Sequence, residues 1–186
     1  FAGLDWISCT YPYDYPTRWM SCVHPADTDR RIESKAHYGY QHATTYASGA
    51  IEMVNHNRPE MGRHVEYSAR AINQLEVLTG VTQKQLIHHL SDNAKISRID
   101  LKLDVSDSGL IIEDLYKAAK DGHIETKSRT VGYVESAKTG NENGAATCYI
   151  GSMKKRKKLL RVYDKAAQSE EFGDLKRFEL ELRSKT

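Results

Sequence analysis

Residues 96–105 read ISRIDLKLDV, and no other stretch limits the fold as tightly. Apolar and polar side chains alternate without a break, the period of a β-strand with one face turned to a core. On that reading Ile99, Leu101 and Leu103 enter the core, while Arg98, Asp100, Lys102 and Asp104 face the other way. The last third of the chain reads as four more strands, RTVGYVES, ATCYIGS, KLLRVYDK and LKRFELELRS. They are separated by AKTGNENG, by a basic run and by AAQSEEFGD, short turn-like pieces that favour antiparallel pairing of consecutive strands.

Upstream the pattern is mixed. GLDWISCTY and GRHVEYSA read as strands, with shorter ones around AHYGYQHATTY and SGAIEMVNH. The stretch from PYDYPTRW to about Ile32 is rich in proline, aspartate and aromatics and reads as irregular. Three segments have helical spacing. ARAINQLEVLTG carries Ile72, Leu75 and Leu78 and stops at Gly80; TQKQLIHHLSDN opens with Thr82 and Gln85 in capping-box spacing. SGLIIEDLYKAAKDG places Ile111, Ile112, Leu115 and Ala119 on one side. There is no repeat at a fixed period. The expected class is α+β, a mostly antiparallel central sheet with helices packed on one face.

A length of 186 residues supports one domain over residues 1–186. The chain opens without methionine or a leader pattern and stops where a strand ends, so it reads as a piece of a longer protein. Its 39% hydrophobic and 28% charged content describes a soluble globular protein, no apolar run approaches a membrane span, and its cysteines read as reduced ones of a cytoplasmic protein. Cys9, Cys22 and Cys148 are odd in number and form no CxxC, which argues against a disulfide framework or a zinc site. A net charge of +2 says little about nucleic acid. Its distribution says more, because Lys154, Lys155, Arg156, Lys157 and Lys158 follow one another in a hairpin-like separator. Such a run is either a solvated turn or a loop that grips phosphates.

Strand parity then sorts the reactive groups. In LLRVYDK, Leu160, Val162 and Asp164 share one side, and Arg161, Tyr163 and Lys165 share the other. In FELELR, Glu179, Glu181 and Arg183 oppose Phe178, Leu180 and Leu182. With Glu66 of HVEYS added, one sheet face can carry carboxylates, cations and a phenol. Converging carboxylates need a counter-charge, and a hard divalent ion such as Mg²⁺ or Mn²⁺ suits oxygen donors. A tyrosine beside such an ion can attack phosphorus. The same alternation equally describes half-exposed strands whose charges are simply solvated. His88 and His89 point apart on a helix, and only His64, on the Glu66 side of its strand, stands as a site neighbour.

GLDWISCTYP, GRHVEYSA, SRIDLKLDV, CYIGSMKKRKKLLRVYDKAA and LKRFELELR occur in an order that resembles the replication initiation factor family, the Rep_trans-type rolling-circle initiators and relaxases of plasmids, phages and conjugative elements. The resemblance implies a relative of the rolling-circle nickase fold and a metal-dependent enzyme that cuts one strand of DNA. It implies Tyr163 as nucleophile, leaving a 5′-phosphotyrosyl link and a free 3′-hydroxyl. Arg161 and Lys165 would flank the phosphate, Glu66, Asp100 and Glu179 would hold Mg²⁺ or Mn²⁺, and Asp104 and Glu181 are reserve ligands. Origin DNA, single-stranded or as a hairpin, is the implied partner, with a host helicase and a second copy as further ones. The family pattern is broken at Met153, where arginine is usual, and at Gln168, where glutamate is common. Those departures keep open a non-catalytic DNA-binding module, and a metal-dependent nuclease that uses water is a further alternative.

Overall fold

The computed structural model describes residues 2–15, 32–46, 48–136, 145–154, 157–169 and 173–184. The chain, expected as a single domain, divides into two compact units, one spanning Leu4–Ile99 and the other Asp100–Lys185 with the first few residues.

In the first unit, strands β1 (Ala2–Tyr11), β2 (Ile32–Ser34), β3 (His42–Thr45), β4 (Ile51–Val54) and β5 (Arg63–Ser68) lie in the order β2-β3-β4-β5-β1. Every neighbouring pair is antiparallel. Helices α1 (Ala69–Thr79) and α2 (Gln83–Asn93) follow. The Ser68 side chain accepts from the Ala71 amide to start α1, and Gly80 ends it in the left-handed conformation at φ 71°. The capping box expected at Thr82 and Gln85 is formed in full. Ile7, Cys9, Tyr11, Val65 and Tyr67 from alternate strand positions meet Ala71, Ile72, Leu75, Leu86 and Leu90 in one core, while Leu78 stays exposed. Burial pushes the Cys9 thiol up to about 12, so it sits there as an unreactive apolar group. Cys22 lies outside the described residues.

The second unit takes the strand order β6-β10-β9-β8-β7. Its strands are β7 (Val131–Ser136), β8 (Ala145–Ile150), β9 (Lys158–Asp164) and β10 (Leu175–Arg183), with β6 (Lys95–Ser106) contributing from Asp100 onward. β7–β8, β8–β9 and β9–β10 are antiparallel, as the short separators require. Helix α3 (Ile112–Lys120) lays Ile112, Leu115 and Tyr116 over Cys148, Val162, Leu160 and Phe178. Ile111, expected on that apolar face, is instead the exposed residue before the helix. In each unit these helices therefore cover the apolar face and leave the opposite face to polar side chains.

On β6 the expected core holds at Ile99, which is half-buried against the first unit's core, and is reversed beyond it. Leu101 and Leu103 are 40% and 45% exposed, whereas Asp100 is 1% exposed. The cause is the reach of the cover: α3 packs on β7, β8 and then β9, strands farther from β6 in the sheet order. The charged face is buried because arginines from β9 and β10 neutralise it, as described below.

The glycine of the YIGS motif closes this half of the sheet. Gly151 sits at φ 129°, and a Cβ built there would lie 2.9 Å from the Lys158 carbonyl oxygen and 3.2 Å from the Leu159 Cα. Gly151→Ala is expected to cost about 1–3 kcal/mol, the scale of strained backbone positions. Gly132→Ala, whose nearest neighbour would be the Tyr149 Cβ at 3.8 Å, is expected to stay within about 0.5 kcal/mol of wild type. Urea midpoints of the two variants check both.

Candidate functional site

The β9–β10 ladder sets the site. Val162 and Leu160 belong to the core beneath α3, so Arg161 and Tyr163 must emerge on the opposite face. Their partners in register are Glu179 opposite Arg161 and Arg177 opposite Tyr163, and directly opposed residues share a face. On the other side β8 places Tyr149 opposite Arg161 and Thr147 opposite Tyr163.

Arg161 is the hub. Its Nη2 donates to Asp100 Oδ2 at 3.2 Å and to Glu179 Oε1, and stands 3.9 Å from Glu181 Oε2. Glu179 is 5% exposed and Glu181 fully buried. Glu181 also accepts from Arg183 Nε at 2.5 Å. Three carboxylates thus meet the guanidiniums of Arg161 and Arg183 in a region where burying charge is costly. Arg161 Nε is itself buried with no hydrogen-bond partner among the described residues.

Tyr163 donates its hydroxyl to Glu179 Oε2 at 3.3 Å, so the two oxygens of Glu179 join the arginine to the phenol. Facing Tyr163, Arg177 grips Asp104 with two parallel bonds, Nε to Oδ1 at 2.6 Å and Nη2 to Oδ2 at 2.7 Å. Those bonds hold the Asp104 carboxyl below its ordinary value. Arg177 was not singled out from the sequence, although the parity that found Glu179 applies equally two residues earlier.

The strand period that groups Lys165 with Arg161 and Tyr163 stops one residue before it. β9 ends at Asp164, and Lys165 opens a short helix, α4 (Lys165–Ser169). The switch has a local cause: Asp164 Oδ1 accepts from the Ala167 amide at 2.8 Å, which turns the chain, while its Oδ2 binds Lys176 Nζ at 2.6 Å. The side chain of Gln168 lies outside the described residues.

Glu66 belongs to the first unit. It is buried on β5, opposite Ser8 of β1 and Ile51 of β4. His64 Nε2 is 3.7 Å from Glu66 Oε1, and His64 Nδ1 meets Thr10 Oγ1 at 2.9 Å with Tyr40 stacked on the ring. The expected association of His64 with Glu66 is therefore present. Of the basic run, Lys154, Lys157 and Lys158 are exposed, and Lys155 and Arg156 lie outside the described residues.

Asp100, Glu179 and Glu181 are all hard oxygen donors reaching one nitrogen position, a donor set that suits Mg²⁺ or Mn²⁺. Among the described residues no three His, Cys, Asp or Glu side chains stand ready as a metal shell. The centre of this cluster is filled by the Arg161 guanidinium. The fit is thus one of donor chemistry, with a resident cation in place.

A family model described as replication initiation factor, Rep_trans, matches residues 94–186, the segment that carries Asp100, Arg161, Tyr163, Arg177, Glu179 and Glu181. A solved structure of the rolling circle replication initiator protein from Geobacillus stearothermophilus superposes with a TM-score of 0.82 at 19% identity, covering 98% of this chain and 74% of that one. At that identity the likeness speaks for the fold. None of the curated proteins matches. Among the described residues no helix is long and apolar enough to cross a membrane.

The Arg177–Asp104 pair gives a pH prediction. A carboxyl with a lowered folded pKa stabilises the fold above its unfolded value and loses that contribution as pH falls through the folded one. Thermal midpoints of the wild type are expected to fall on acidification through the ordinary aspartate range, near ~3.9. Asp104→Asn should be less stable at neutral pH and show a shallower acid decline, read by circular dichroism melts across that range.

Proposed function

Since the chain belongs to the replication initiation factor family, we propose that it is a tyrosine nickase acting on one strand of origin DNA, as an initiator or as a relaxase. The observation that carries this reading is the Tyr163 hydroxyl, hydrogen-bonded to Glu179 on the same sheet face as Arg161 and Asp100. Tyr163 Oη attacks the phosphorus; the new oxygen–phosphorus bond forms as the bond to the 3′ oxygen breaks. The phenolic proton leaves along the hydrogen bond to Glu179 Oε2, and the departing 3′ oxygen takes up a proton to become a hydroxyl. The 5′ phosphate stays on Tyr163 as an ester. That link keeps the energy of the original phosphodiester, so the 3′-hydroxyl can prime synthesis or later reverse the cut.

Asp100 and Glu179, with Glu181 beside them, would hold Mg²⁺ or Mn²⁺, which when bound neutralises charge at the phosphate. Arg161 and Arg177 flank Tyr163 and supply cationic contacts to the same group. Lys154 and Lys157 on the β8–β9 connection and Lys158 at the start of β9 serve as sequence-independent phosphate contacts.

Incubation with Mn²⁺ and a labelled single-stranded hairpin, followed by a denaturing gel, tests the chemistry. A covalent protein–DNA adduct is expected from the wild type and none from Tyr163→Phe. Cleavage without adduct would favour a water-using nuclease, and binding without cleavage a non-catalytic module. In the binding arm, replacing Lys154, Lys157 and Lys158 together by alanine is expected to lower the salt slope of single-strand affinity by about 0.7 for each phosphate that is no longer neutralised.

A further inference from the structure

We propose, resting on the reading of origin DNA as the partner, that Tyr38 of the first unit is a stacking platform for a base of the single strand.

Tyr38 holds a backbone conformation that its residue type disfavours. The Tyr40 amide donates to the His37 carbonyl at 3.0 Å, and both residues inside that turn have positive φ, 55° at Tyr38 and 83° at Gly39. Turns of this kind favour Asn-Gly or Asp-Gly, because a Cβ crowds the backbone there and only a short polar side chain bonds locally in return. Among the described residues the other non-glycine with positive φ is Asp107, a type that tolerates it. Burial does not offset the strain at Tyr38, which is 71% exposed. It is the aromatic among the large apolar side chains exposed in the described residues. Strain kept at an exposed ring points to a use of that ring outside folding.

The ring is nonetheless held in place. Tyr40 stacks on His64 with ring centres 5.8 Å apart, and Tyr38 meets the same imidazole edge-to-face at 5.7 Å. His37 adds a second edge contact to Tyr38 at 6.2 Å. Hydrogen bonds fasten this group from below. The Tyr40 hydroxyl donates to the Met61 carbonyl at 3.0 Å, and Asn55 Nδ2 donates to the Gly39 carbonyl at 3.1 Å. His64 Nδ1 lies 2.9 Å from Thr10 Oγ1. Tyr38 is therefore a pre-set aromatic surface, and a partner that lies flat on it loses little further entropy in ordering the protein.

The surroundings of the ring suit a nucleotide better than an apolar peptide. Residues 35–42, KAHYGYQH, and 55–58, NHNR, are joined by the Asn55–Gly39 bond and by His42 beside His56 at 5.3 Å. Together they contain the cations Lys35 and Arg58, three imidazoles and no carboxylate, with Arg58 bridged to Glu60 just beyond. A phosphate backbone can pass such a surface without repulsion, and the amide and imidazole edges can meet base edges. Bases in a duplex are already stacked on one another, so an open ring face selects an unpaired strand, and it accepts any base because every base has a π-face.

Anisotropy of labelled oligothymidylate, titrated with the full chain in EDTA so that metal-dependent cutting does not intervene, tests the platform. Tyr38→Asn turns the sequence into Asn-Gly, so it is expected to melt at or above the wild-type temperature. The same variant is expected to bind oligothymidylate about five- to a hundredfold more weakly, the range for one lost base stack. Tyr38→Phe keeps the ring face and is expected to stay within about twofold of wild type. An abasic strand of equal length offers the phosphates without the bases, and on it Tyr38→Asn and wild type are expected to bind alike, with equal salt slopes. Affinity retained by Tyr38→Asn overturns the proposal and leaves the exposed ring to a protein partner. Equal loss on the abasic strand overturns it by making Tyr38 a backbone contact, or a folding residue where melting falls as well. Equal loss in Tyr38→Phe overturns it by making the hydroxyl the contact. The Tyr163 adduct assay reads separately: a stacking effect without adduct places the platform on a binding module, and an adduct with Tyr38→Asn affinity unchanged leaves the nickase without the platform.

Discussion

A single guanidinium, Arg161, reaches across three strands to carboxylates that would otherwise repel one another. Burying Asp100, Glu179 and Glu181 side by side is feasible only with cations among them, because each unpaired buried charge costs several kcal/mol or changes its protonation. The sheet supplies those cations as arginines, Arg161 from β9 and Arg183 from β10, and Arg177 of β10 does the same for Asp104. What results is a charged interior on the face away from α3, with the apolar contacts of the unit gathered on the other. A conventional sheet of this kind would place its leucines inward on every strand.

That inversion explains why burial on β6 could not be foretold from its pattern. Alternation in ISRIDLKLDV correctly divides the side chains into two sets, but it carries no information about which set a neighbour will cover. For β9 the question was settled by Val162 and Leu160, which have α3 above them; for β6 the cover ends too soon, and pairing decides instead. Leu101 and Leu103 are exposed for the same reason that Asp100 is buried.

The site was legible to the extent that it lay on regular strands. Tyr163, Arg161, Asp100 and Glu179 follow from period two and come together on one face. At Lys165 period two no longer applies, because a bond from the Ala167 amide to the Asp164 side chain ends the strand one residue early, and local capping of that sort competes with any strand pattern. Arg177 escaped notice since no motif drew attention to it, although it sits in register with the tyrosine. Glu66 illustrates a different limit: its own strand and its histidine neighbour were readable, but parity within a strand gives no distance to a residue in another unit. The capping box at Thr82 and the glycine stop at Gly80, by contrast, are local devices and appear as read.

The Asp164–Lys176 contact has a mechanical side. Asp164 follows Tyr163 directly, and its carboxylate is fastened both to the start of α4 and to a lysine on the adjacent strand. β9 is itself held between β8 and β10 by ladders on both edges. If a DNA strand is joined to Tyr163, tension along it is delivered to a backbone anchored on either side and clamped at the next residue. Such a pull loads the hydrogen bonds of two strand pairs together and must also break a half-buried ion pair before the strand end can peel. A group attached at Tyr163 would thus hang from a backbone fixed on both edges, while the phenol keeps the freedom of its own side-chain torsions.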